Sequence, residues 1–100
     1  MVIRLLDHVE RCSSYAEGEI IFNLLAPVIR SGQDVTVSFD GVAAVPSAFV
    51  NGAFVRLAED TSVQAIRKHL KIIESTRQIN DLVKSRFAFL SNNLKAATRP

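Results

Sequence analysis

One hundred residues at 11.0 kDa have the size of one compact domain, 1–100, with room for a single core. Hydrophobic residues at 48% and charged residues at 22% lie near the globular average, which excludes a disordered acidic tail, a collagen or a disulfide-stapled miniprotein. Twelve basic against ten acidic side chains leave +2, so the pI near 9.0 rests on two charges and indicates no nucleic-acid-binding stripe.

The amino end, Val2-Ile3-Arg4-Leu5-Leu6, is short, apolar and bounded by charge, as expected of a strand. Asp7 and Glu10 follow at once and no long apolar run with a small-residue cleavage site is visible, so a cytoplasmic protein is expected. Cys12 is the single cysteine, which fits a reducing compartment, and no cluster of Lys, His or Cys beside it points to a reactive thiol. Ser14 followed three positions later by Glu17 marks a helix start. Ile21, Leu24, Leu25, Val28 and Ile29 recur at helical spacing up to a Ser31-Gly32 stop, with Pro27 expected to bend the helix. The nearly apolar stretch from Ile20 to Ile29 is too short for the roughly 20 residues of a membrane span and reads as core.

Val35-Thr36-Val37-Ser38-Phe39 alternates branched or aromatic residues with small polar ones, a strand with one strongly buried face. Asp40-Gly41 ends it, and Pro46-Ser47 opens a helix with Ser47 as its cap. On that helix Phe49, Val50, Ala53, Phe54 and Leu57 share one face, with Asn51 and Arg56 displaced toward solvent. Thr61 with Gln64, and Ser75 with Gln78, repeat the capping spacing, and Leu70-Lys71-Ile72-Ile73 between them reads as a strand. The last helix, expected near 76–95, carries Ile79, Leu82, Val83, Phe87, Leu90 and Leu94 in one stripe, and the chain is expected to fray from Lys95. Leu24, Val28, Val37, Phe39, Phe54, Ile72, Val83 and Phe87 are the expected core. Strands and helices alternate, so the fold class is α/β: a small mixed sheet of three or four strands with helices packed mainly on one face.

Chemistry-bearing patterns are sparse. His8 and His69 stand apart without metal-ligand spacing, no nucleophile elbow occurs, and the four glycines are isolated, which leaves no phosphate loop. No enzyme, metal or cofactor is therefore expected. Arg67, Lys68, His69 and Lys71 form a basic run without interleaved aromatics, so it reads as a solvated face and not as a nucleic-acid site.

The segment from Ser38 to Gly52 carries a pattern: Ser38-Phe39 at a strand end, Gly41-Val42, small residues, then Ala48-Phe49-Val50-Asn51 at a helix start. From about Ser14 to Ile73 the chain resembles the STAS domains, named for sulfate transporters and anti-sigma factor antagonists. It is closer still to the bacterial STAS-like family of uncharacterised function. In that family a strand ending in Asp-Phe precedes Gly-Val, and Ser-Phe-x-Asp opens the next helix; Ser38, Ala48 and Asn51 depart from that pattern, with Asp40 two positions after Ser38. The resemblance implies a STAS topology and a non-enzymatic regulatory protein-interaction domain. Its partner would resemble a histidine-kinase-like ATPase or a serine kinase, docked at Asp40, Ser47, Ala48 and Asn51. The resemblance also implies that the serine which a partner kinase phosphorylates in anti-sigma factor antagonists corresponds to Ala48, and Ser47 could substitute only if the turn shifted. Two other readings stay open: a small-ligand or nucleotide-binding domain using the helix N-terminus after Pro46, and a subunit of a homo-oligomeric scaffold.

Overall fold

The structure, a computed structural model, describes the backbone of residues 1–98 and the side chains of residues 1–90. Strand β1 (Val2–Arg4) leads through a single 3-10 turn (Leu5–Asp7) to helix α1 (Tyr15–Arg30) and strand β2 (Val35–Ser38). A continuous helical run, 47–60, follows as α2 (Ser47–Val50), a π-helical segment (Asn51–Val55) and α3 (Arg56–Asp60). Helix α4 (Val63–His69), strand β3 (Leu70–Ile73) and helix α5 (Arg77–Thr98) complete the chain.

The strands form one sheet in the order β1-β2-β3. Val2 pairs with Thr36, and Val35 with Leu70, both in parallel. The sheet is thus wholly parallel where a mixed one was expected. Strands β2 and β3 are each reached by a helical crossover that returns the chain to the same end, which leaves no place for an antiparallel hairpin. Progress in one direction with crossovers of the usual hand puts both connections on one face, and α1 packs directly on the 47–60 helix.

Strand alternation then sorts the side chains. Ile3, Val35 and Val37 are buried under the helices, while Val2 and Lys71 are exposed on the other face. Ser38 lies in the row of Arg4 and Ile73 and is buried, its Oγ accepting the Asp40 N–H at 3.2 Å. The core centres on Phe39, Phe49 and Phe54, each with no exposed surface; the Phe39 and Phe54 rings sit 6.2 Å apart at 41°. Of the expected core, Val37, Phe39, Phe54 and Val83 are buried, and Leu24, Val28, Ile72 and Phe87 are half-buried against it.

Local signals account for the boundaries. Strand β1 stops at Arg4, short of Leu6, because the chain turns at Leu5, whose carbonyl accepts both the His8 and Val9 N–H groups. At Ser14 the cap forms as expected, its Oγ accepting the Glu17 N–H at 3.1 Å, while the Glu17 carboxylate reaches back to the Ser13 N–H at 3.1 Å. Helix α1 runs on through Pro27, which is exposed, so the carbonyl it leaves without a helical donor faces the solvent side. It ends on Gly32 at φ +78°, with Gln33 N–H bonded to Val28 O at 3.1 Å and Gly32 N–H to Ile29 O at 3.0 Å. Two caps sit one residue later than expected. Ser62 and not Thr61 caps α4, accepting the Ala65 N–H at 3.0 Å, because the Thr61 hydroxyl bonds back to Leu57 O at 2.7 Å. Thr76 and not Ser75 caps α5, accepting the Ile79 N–H at 3.3 Å. Helix α5 continues to Thr98, past the fraying expected at Lys95; the Leu94 side chain, Arg99 and Pro100 lie outside the described residues.

At one point in the helical layer two backbones approach each other closely. Gly18 of α1 and Gly52 of the π segment face each other: a Cβ on Gly52 would lie 2.5 Å from Tyr15 O, and one on Gly18 would lie 2.5 Å from Phe49 O. Arg56 spans the same crossing. Its guanidinium lies over the Phe22 ring, 4.5 Å from the centroid, and pairs with the Glu19 carboxylate. Asn51 and Arg56, expected on the solvent side, are both half-buried.

Candidate functional site

The 40–51 corner lies at the carboxyl end of β2: Asp40 follows the strand, and Ser47, Ala48 and Asn51 lie on the helical run that begins at Ser47. Phe39 anchors it: the ring is buried and its N–H extends the sheet to Ile73 O at 3.1 Å. The chain then reverses over residues 39–42, closed by Val42 N–H donating to Phe39 O at 2.8 Å, with Gly41 at φ +84°. That φ suits glycine, and a Cβ there would also meet Leu6 Cδ1 at 2.9 Å. Asp40 is exposed at the tip. Its carboxylate accepts from Arg4 Nε at 3.1 Å, and Arg4 Nη1 reaches Asp7 at 2.9 Å, so one guanidinium joins the ends of β1 and β2.

Residues 42–46 form no regular element, yet α5 holds them in place. Gln78 pairs with the Val45 backbone in both directions, accepting from its N–H at 3.1 Å and donating to its carbonyl at 3.0 Å. Thr76 adds a hydroxyl bond to Ala43 O at 3.0 Å. Val45 is buried beneath this clamp, whereas Ala43, Ala44, Pro46, Ser47 and Ala48 are exposed. The result is a surface of small side chains on backbone tied to Thr76 and Gln78 by three hydrogen bonds.

Pro46, extended at φ −84° and ψ 164°, occupies the cap position of α2, so Ser47 is already inside the first turn. The cap role expected of Ser47 is therefore not filled by its side chain, because the fixed φ of proline and its extended ψ set the turn one residue earlier. Asn51 opens the π segment: the Arg56 N–H bonds back to its carbonyl, and its own N–H bonds to Ala48 and Ser47 carbonyls. Asp40, Ser47 and Ala48 are exposed and Asn51 is half-buried.

Beside the corner, a shallow cleft of about 250 Å³ separates the β1–α1 connection from the 41–44 segment, with Leu6, Glu10, Cys12 and Ala44 among its walls. Cys12 is buried, and burial, then the nearby Glu17 charge, pushes its thiol up to about 11. The basic run lies at the other end of β3. Arg67, Lys68 and Lys71 are exposed, and His69 Nδ1 meets Asp34 Oδ1 at 2.8 Å. No group of three or more His, Cys, Asp or Glu residues that could hold a metal occurs among the described residues, and no helix there is long and apolar enough to cross a membrane.

Residues 17–80 match the model of a family described as a STAS-like domain of unknown function. No curated protein and no solved structure matches the chain. The matched span covers the β2–α2 corner, the glycine crossing and the first turn of α5, including Gln78.

Proposed function

The chain belongs to the family of STAS-like domains of unknown function, and from that membership we propose a non-enzymatic regulatory protein-interaction domain that docks its partner on the 40–51 corner. One observation carries the reading: the exposed small residues Ala43, Ala44, Ser47 and Ala48 sit on backbone that Gln78 and Thr76 pin to α5. A segment ordered before binding loses little conformational entropy on association, and a rigid scaffold presenting a loop is a common platform for recognition. Asp40 at the tip supplies a charge and the Ser47 hydroxyl a polar contact. The partner class is that of other STAS proteins, a histidine-kinase-like ATPase or a serine kinase. Ala48 has no hydroxyl to phosphorylate, so binding is constitutive at that position.

The test begins with the partner captured from the native host by crosslinking to the intact chain and identified by mass spectrometry. Its affinity is then measured for the parent protein and for Ser47→Lys/Ala48→Lys. Both positions are exposed, so the fold survives the change, and the affinity is expected to fall at least ~10-fold. A partner that binds the double variant with parent affinity places the interface elsewhere.

A further inference from the structure

Away from the corner, α5 stands off from α4 and β3 and leaves an open groove of about 220 Å³. Ile66, Leu70 and Ile72 form one wall, and Val83 and Phe87 the other. Ile66 and Val83 are buried while Leu70, Ile72 and Phe87 are half-buried, so the floor is continuous with the core and the upper walls are open to solvent. Each wall also contributes one exposed cation, Arg67 from α4 and Lys84 from α5. Neither has a carboxylate within 4.0 Å among the described residues.

An apolar trough with a cation on each wall is complementary to a large apolar side chain flanked by carboxylates. The volume falls below the ~300–1,000 Å³ of small-molecule pockets and suits a single anchoring side chain of a protein ligand. A second copy of this chain is the poorer occupant, because a two-fold contact through the groove would set Arg67 and Lys84 against the same cations of the other molecule. We propose that this groove docks an acidic amphipathic segment of a partner protein, with an apolar side chain between Ile72 and Phe87 and carboxylates on Arg67 and Lys84. This surface is independent of the 40–51 corner.

The probe is a synthetic peptide of about 15 residues, long enough to populate a helix, with one leucine stripe flanked by glutamates. Its control carries lysines in place of the glutamates. Fluorescence anisotropy is expected to show the acidic peptide binding at least ~10-fold more tightly than the basic one, with an affinity that falls as salt rises. Amide chemical shifts should move in α4, β3 and the 80–87 stretch of α5 and stay in place over 40–51. Arg67→Glu/Lys84→Glu, a double reversal at exposed positions, should weaken the acidic peptide at least ~10-fold without moving the denaturation midpoint. Equal affinity for both peptides, shifts confined to another surface, or parent affinity in the double reversal overturns the proposal. So does a sedimentation experiment in which the parent protein is a dimer and the double reversal a monomer, since the groove would then be a self-association surface.

Discussion

Gly52→Ala probes the backbone contact between α1 and the π segment. The added methyl would lie 2.5 Å from Tyr15 O and 3.3 Å from both Glu19 N and Gly18 Cα, all of them main-chain atoms with no rotamer to yield. Ordinary contact begins at 3.4 Å, so the two helices must separate by about 0.9 Å at the crossing. A gap of that size forfeits roughly a quarter to a half of each contact it opens, and the contacts at risk belong to Phe22, Phe49 and Phe54, which pack in the same layer. Overpacking of this kind costs ~1–3 kcal/mol. The upper end applies here, because only backbone can move, and the better helix propensity of alanine returns ~1 kcal/mol, leaving a net loss of about 2 kcal/mol. Urea denaturation followed by circular dichroism reads this as a lower midpoint at unchanged slope. Gly18→Ala should behave alike, since its methyl would meet Phe49 O at 2.5 Å and Ala53 N at 2.9 Å. The double variant should lose less than the sum of the singles, because one separation of the helices accommodates both methyls. A midpoint that rises by the propensity gain alone would refute the backbone contact.

Gln78→Ala removes two part-buried hydrogen bonds to the Val45 backbone, each worth ~0.5–1.5 kcal/mol; hydrogen exchange should quicken at the Val45 amide ahead of the β2 amides. Acid should weaken the start of α1: burial acts to raise the Glu17 carboxyl, but the hydrogen bonds from Ser13 and Ser14 outweigh it and hold the group below its ordinary 4.5. The stability that these bonds supply is therefore complete above 4.5 and lost as pH falls through the lowered value, so urea midpoints should drop in that window and drop less in Glu17→Gln. Cys12, its thiol raised to about 11 by burial, should resist alkylation at neutral pH in the native protein and react readily in denaturant.

The strands and helices were legible because each announces itself within a few residues. Ser14 and Glu17 form the expected cap, the Phe49, Val50, Ala53, Phe54 and Leu57 stripe is buried to the last residue, and Leu70–Ile73 is a strand. Where two hydroxyl residues stand side by side, as in Thr61-Ser62 and Ser75-Thr76, spacing alone cannot choose the cap; the choice depends on which carbonyl the other hydroxyl finds. The π segment was not anticipated from the sequence; it is marked by the Arg56 N–H bonding to the Asn51 carbonyl, five residues back. The residues that hold the corner were hidden because their partners are distant in sequence. Gln78 reads locally as part of a capping spacing, yet its partner is the backbone of Val45, brought to it by the fold. Gly18 and Gly52, isolated in sequence, become one feature only when the helices cross.

The parallel order of the sheet has a kinetic consequence. Among the described residues strand β2 is the one strand with two neighbours, Val2 pairing with Thr36 on one side and Val35 with Leu70 on the other. Neither pairing can form by local hairpin closure, so each requires a long loop to close before its hydrogen bonds repay the lost entropy. The four residues Val35–Ser38 thus gate both halves of folding. Conservative substitutions at Val35 or Val37 should slow refolding, whereas changes in three-residue β1, an edge held by one partner strand, should mainly hasten unfolding.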